Sequence, residues 1–189
     1  MIQELFKTAV SEVVLTNQEY NFEIIHLISK NPDLQILYTK GMSSYLQPVN
    51  ESNKELEHIE LYFLLPEYWD LKKNNWPVYW LNRIAQVPQK NKTWCGIGDT
   101  LPAGNPPKQI EEKLKTSYFI LSEPIFLDQL KTDGAIKYLA VIPIFRKEFD
   151  FKMQNSAALL FNKLKEKNHS EMVDQFRQPV ARKRFMGVF

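Results

Sequence analysis

The sequence is poor in cysteine: Cys95 is the single one among 189 residues. One thiol cannot close a disulfide within the chain, nor can it build a multi-cysteine metal site. That usage fits a reducing compartment, so a cytoplasmic location is expected. Histidine is scarce too. His26, His58 and His169 complete the set, and no H-E-x-x-H or H-x-H pattern joins them, so no metal centre and no cofactor are expected. The longest apolar run, Tyr138 to Phe145, is interrupted by Pro143 and is far short of the roughly 20 residues of a membrane-spanning helix. Glu4 and Lys7 break the apolar residues at the start, so no secretory signal and no membrane association are read. Asn91-Lys92-Thr93 matches a glycosylation triplet, which carries no weight without a secretion route. Charge of one sign is also lacking. Lys and Arg number 24 against 22 Asp and Glu, and a net charge of +2 gives little whole-chain attraction to nucleic acid or acidic lipid.

What the chain has is core. Leu, Ile, Val and Phe make up 57 of the 189 residues, well above the fraction below which disorder is expected. The length suits one domain over residues 1–189, without repeats or low-complexity stretches.

Ile2, Leu5, Phe6, Ala9, Val10 and Val13 recur at helical spacing and predict an N-terminal helix. Val13 to Thr16 and Phe22 to Ile28 predict strands around the polar Asn17 to Asn21, and Leu34 to Thr39 a third after Asn31-Pro32-Asp33. Ile59, Leu61, Phe63 and Leu65 alternate with Glu60, Tyr62 and Leu64, a strand with one apolar and one mixed face that stops at Pro66. Pro77 suits a first helical turn, with Val78, Leu81 and Ala85 as the apolar side. The glycines and prolines between Thr93 and Pro107 predict a structured loop with room for one short strand. Ser117 to Leu121 and Ile136 to Phe145 predict strands, the second central, with a bulge or strand end expected near Pro143. Ala157, Leu160, Phe161 and Leu164 predict a helix over 156–167, capped by Asn155 or Ser156, with a short turn from Glu171 to Phe176 beyond it. Strands and helices segregate along the chain, which predicts an α+β fold with a largely antiparallel sheet of five or six strands. Ile59 to Leu65 and Ser117 to Leu121 cannot both be central in such a sheet, so one edge is expected to be open. Lys115, Lys131 and Lys137 would guard it.

Candidate chemistry is thin. His58 and Glu60 share a strand face and could serve a metal or a proton transfer, although a solvated strand face is the favoured reading. Cys95 beside Trp94 could be a nucleophile, but nothing local supplies a base. Gly96-Ile97-Gly98 begins a dinucleotide fingerprint, and Leu101 then stands where the third glycine belongs. Arg177, Arg182, Lys183 and Arg184 form a basic tail over 177–189, interleaved with Phe176, Phe185 and Phe189; it is the minor case for nucleic-acid binding. Trp69, Trp76, Trp80 and Trp94 are close in sequence, and at least two of them are expected in the core.

An ordered series of short motifs carries a resemblance. Thr39-Lys40-Gly41-Met42-Ser43 follows a strand, and Glu60-Leu61 opens one that ends at Leu65-Pro66. Trp80-Leu81, Ile84-Ala85, Trp94 and Gly98-Asp99-Thr100 come next, followed by Ile142-Pro143-Ile144-Phe145, Glu148 and Phe151. Over residues 22–164 this series resembles the suppressor of fused-like family in its single-domain bacterial form. The resemblance implies a non-enzymatic α+β domain, like the N-terminal domain of suppressor of fused, that binds a protein partner. The animal member sequesters a transcription factor by strand addition, and bacterial members are thought to include immunity proteins that neutralise toxins. No catalytic set is carried over. Met42, Ser43, Glu60, Asp99 and Glu148 are the matched positions expected to shape a binding surface, with Trp69 and Trp94 added from the tryptophan cluster. Gly41 is expected to adopt a backbone conformation that other residues resist. Ala157 departs from the pattern, standing near an expected glycine, and the tail after Arg177 maps to no motif. Nothing in the sequence sets an oligomeric state.

Overall fold

The computed structural model describes residues 2–7, 9–132 and 135–181. Strands β1 (Val10–Asn17), β2 (Phe22–Lys30), β3 (Asp33–Lys40), β4 (Ile59–Pro66), β5 (Thr100–Pro102), β6 (Tyr118–Ser122) and β7 (Lys137–Ile144) form one sheet in the order β1-β2-β3-β4-β7-β6-β5. Every pairing is antiparallel except β4 with β7, which is parallel. Helix α1 (Ile2–Leu5) starts the chain, α2 (Trp76–Ala85) and α3 (Val87–Asn91) follow β4, and α4 (Arg146–Gln154) and α5 (Ala157–Glu166) follow β7. This is the expected α+β class with a mostly antiparallel sheet.

Both faces of the sheet are covered, and the alternation in β4 shows how. Ile59, Leu61, Phe63 and Leu65 point into one core with Trp69, Trp76, Leu81 and Ile84; Tyr62 and Leu64 point into the other with Ile2, Leu160 and Leu164. A central strand must therefore be apolar on both sides, and every residue of β4 is buried. Trp69 and Trp76 pack edge to face at 5.7 Å, and Trp76 meets Phe63 at 5.5 Å.

Several expectations are corrected. The helical spacing from Ile2 to Val13 yields a helix only to Leu5, because the β-branched run from Val10 pairs with β2 as an edge strand, leaving Val10 and Val13 exposed. The sheet has seven strands, and neither β4 nor β6 is at an edge; β1 and β5 are. Lys137 sits in the interior strand β7 and pairs with Glu123 at 3.1 Å rather than guarding an edge. Lys115 lies outside the strands, and the side chain of Lys131 lies outside the described residues. Helix α4, which its charged sequence concealed, begins at Arg146. The turn expected over Glu171 to Phe176 is confined to Gln175 and Phe176; the segment before it runs as a strap along β4, bridging Met172 to Leu64.

Pro143 stays inside β7, one residue from its end. By the alternation of the β6 ladder its nitrogen faces away from β6, toward β4, whose pairing has already ended at Ala140. The missing amide therefore breaks no hydrogen bond.

Candidate protein-docking cleft

A cleft of about 570 Å³ opens beside β5. Its walls are Trp80, Arg83 and Ile84 of α2, Val87, Trp94 and Cys95 of the following segment, and Leu101 and Pro102 of β5. The periodicity of α2 explains its half of the cleft. Leu81, Ile84 and Ala85 anchor the helix in the core, which leaves Tyr79, Trp80 and Arg83 along the outer flank. Trp80 rests on Phe119 at 5.3 Å and meets Tyr79 at 5.2 Å, while the Arg83 guanidinium lies over both rings at 5.9 and 5.6 Å. Tyr79 and Trp94 remain exposed. The result is a flat aromatic and cationic wall above an apolar floor.

The other side of the cleft is a strand edge. Gly98 donates to Leu121, Leu121 to Asp99, and Ala103 to Ser117. Alternation then turns Leu101 toward β6 and the backbone of Thr100 and Pro102 outward. The free edge offers the N–H and C=O of Thr100; Pro102 has no N–H to give, and its C=O already accepts from the Gly104 amide at 2.9 Å. Asp99 holds the approach to β5, its Oδ2 accepting from the Gly96 amide at 2.8 Å. Gly98, at φ +86°, lies so close to α5 that a Cβ would come within 2.8 Å of the Ala157 Cβ.

Most of the other residues singled out by the motifs work inside the molecule. Glu60 is 3% exposed and accepts from the amides of Gly41 and Ser43 and the hydroxyls of Thr39 and Ser43. Gly41 has φ +103°, as the turn demands, and Met42 beneath it is buried. His58 reaches the same turn, its Nδ1 2.8 Å from the Ser43 carbonyl, so His58 and Glu60 hold one loop and are not a solvated strand face. Burial pushes the Glu60 carboxyl above its usual range, and its neutral donors pull part of the way back. Glu148 is fully buried at the start of α4, accepting from the amides of Phe145 and Val180. Met42, Glu60, Trp69 and Glu148 are thus interior residues that shape loops, whereas Ser43, Trp94 and Asp99 reach the surface.

Cys95 is buried in the cleft floor, and burial, with Asp99 nearby, pushes its thiol up to about 12. A thiol so far from ionisation is a poor nucleophile at neutral pH. Arg177, first placed in the basic tail, is held inside: its guanidinium bridges Glu148 and donates to the Pro143 carbonyl. Arg182, Lys183, Arg184, Phe185 and Phe189 lie outside the described residues.

Glu171 was missed by the motifs. It is fully buried, and it accepts from the amides of Ile125, Phe126 and Leu127 and from the Tyr62 hydroxyl. Its sequence neighbourhood carries no signal, because the groups it satisfies are distant in the chain.

The fold and the cleft define a class: a mixed sheet between two helical layers, with an aromatic-walled cleft along a short free edge. Among the described residues no cluster of three metal-ligating side chains occurs, and no helix is long and apolar enough to cross a membrane. The family model of the suppressor of fused protein matches residues 19–178, and the chain belongs to that family. The match runs past Leu164, where the motif series ends, and takes in the strap with Glu171 and Arg177. Among solved structures, a suppressor of fused homolog from Neisseria gonorrhoeae superposes with a TM-score of 0.69 at 14% identity, covering 96% of this chain and 93% of that one. A structure of the Sufu-Fu complex gives a TM-score of 0.62 at 12% identity, covering 95% and 88%. Drosophila Suppressor of Fused gives 0.55 at 13% identity over 91% of this chain and 42% of that one. Comparison with curated proteins found no match.

Proposed function

We propose that this chain is a non-enzymatic protein-binding domain that captures an extended segment of its partner along β5, and that the partner is a toxin which the chain neutralises in the cytoplasm. The observation that carries the binding reading is the outward N–H and C=O of Thr100 beside the cleft walled by Trp80, Arg83 and Trp94. An added strand would exchange a pair of hydrogen bonds with Thr100, while an apolar side chain filled the cleft. The edge is too short, and too poor in donors at Pro102, to pair well with a second copy of itself. Membership of the suppressor of fused family and the Sufu-Fu complex support a protein partner. The immunity role rests on the resemblance to the single-domain bacterial members of that family.

The test is co-purification with, and protection against, a toxin encoded beside the gene, followed by hydrogen exchange on the complex. Protection at Thr100 and along β6 is expected. Trp80→Ala should weaken binding by about 2 kcal/mol or more, and Thr100→Pro, which removes the one outward amide, should weaken it without unfolding the sheet. A toxin that binds with Thr100 unprotected would overturn the docking mode. No binding to any neighbouring toxin would overturn the immunity role.

A further inference from the structure

A second cavity, of about 200 Å³, lies on the other face of the sheet and is independent of the docking cleft. Glu60 lines it, together with Tyr38, Lys40, Tyr138, Ile136, Gln3 and the turn residues Gly41 and Ser43. The Glu60 carboxylate is almost fully buried, and each of its hydrogen-bond donors is neutral. Among the described residues no cation stands within ion-pair distance of it, whereas the equally buried Glu148 is neutralised by Arg177. Three of the four donors converge on Oε1. Oε2 receives only the Thr39 hydroxyl and keeps a lone pair unused. Burial and the Glu60 charge together push the Tyr38 hydroxyl up to about 12, so this ring stands within the field of the carboxylate.

A buried carboxylate with no cation among the described residues in ion-pair distance, beside two tyrosine rings, is a cation site in its chemistry; Lys40, in the same wall, is exposed to solvent and makes no ion pair with it. The carboxylate supplies charge and an acceptor, and aromatic faces attract cations. The cavity has room for an ammonium head and a short alkyl stem, and too little for a guanidinium with a long stem or for a peptide. We propose that the Glu60 cavity binds a primary alkylammonium group, which donates to Glu60 Oε2 and rests its methylene groups against Tyr38, Tyr138 and Ile136. The same chemistry is presented by a free small amine and by a lysine side chain of another protein.

The experiment is an amide-resolved NMR titration of the full chain with n-butylammonium chloride, using n-butanol and sodium chloride as controls. The Gly41 and Ser43 amides donate to Glu60 and report on it directly. Saturable shifts at these two amides with the ammonium, and none with butanol or sodium, are the expected result. Glu60→Gln should weaken binding by about tenfold or more, since a charge-assisted hydrogen bond is lost. Ile136→Trp, which fills the mouth of the cavity and leaves Glu60 in place, should weaken it to a similar extent and guards against a folding defect in the first variant. An N-acetyl-lysine amide that binds as tightly as butylammonium would point to a partner's lysine; its exclusion would point to a free amine. Equal shifts with butanol, or no saturable shift with the ammonium in a folded protein, would overturn the proposal. The Thr100 amide should stay unmoved throughout, so failure here says nothing against the docking cleft.

Discussion

Arg177 places its guanidinium against both carboxylate oxygens of Glu148, at 2.6 and 2.7 Å, and neither side chain is open to solvent. The pair fastens the strap after α5 to the start of α4, and the Phe145 ring covers the guanidinium at 4.8 Å. Breaking such a pair strands a buried charge. Arg177→Ala is expected to cost about 3–5 kcal/mol. Arg177→Lys should recover part of this, because an ammonium cannot make the two-pronged contact. Urea denaturation of both variants checks the order.

Cys95 should resist alkylation in the native protein at neutral pH and react once the chain is unfolded in urea, as mass spectrometry would show. Its thiol is both buried and held at about 12. Cys95→Ala should leave partner binding within about twofold of the parent, since the cleft floor loses only a small apolar group, worth about 1 kcal/mol or less of stability.

Gly98→Ala should lower the melting temperature, because the new methyl would meet Ala157 at 2.8 Å on a residue whose φ is +86°. The expected cost is roughly 1–3 kcal/mol. Combining it with Ala157→Gly should restore the part due to the clash and not the part due to the backbone. A double variant no more stable than the single one would show that the contact with α5 is unimportant.

The Glu60 carboxyl is raised by burial in the folded chain, so the folded state keeps its proton to a higher pH than the unfolded state does. Stability from this group is therefore fully present below the usual carboxylate range and is lost as pH rises through the raised value. Glu60→Gln does not titrate. Its stability relative to the parent should rise across that window and level off above it, in urea melts taken at a series of pH values. An unchanging difference would show that the donors from Gly41, Ser43 and Thr39 cancel the effect of burial.

The strands from Phe22 to Pro66 were legible as runs of branched and aromatic residues bounded by polar turns, and the helix after Ser156 by its i, i+3, i+4, i+7 spacing; the Ser156 cap receives the Leu159 amide as its position suggests. The first strand misled because Ile2 to Val13 satisfies a helical spacing while Val10, Val13 and Val14 favour a strand, and pairing with β2 decided the outcome. The motif residues were legible as a set, but not in their role. Whether Glu60, Glu148 or Glu171 is buried depends on loops far away in sequence that supply its donors, and no local pattern encodes that. The cleft was half legible. Its tryptophans were visible as a cluster, but separating Trp69 and Trp76 in the core from Trp80 and Trp94 on the cleft required the path of α2.

Among the described residues, the parallel contact of β4 with β7 is the only strand pairing that joins the run of strands ending at Pro66 to the run beginning at Thr100. The first run closes through two short hairpins and one loop over 41–58, whereas the second must be synthesised almost entire before β7 can arrive. During synthesis β4 therefore stands as a bare margin, eight residues long, apolar on both faces and carrying Glu60 as its one charge. The emerging polypeptide, more than the finished protein, is where this molecule is most exposed to aggregation. Expression at lower temperature or with a chaperone present should raise the soluble yield of the whole chain through this interval alone, leaving the stability of the folded product unchanged.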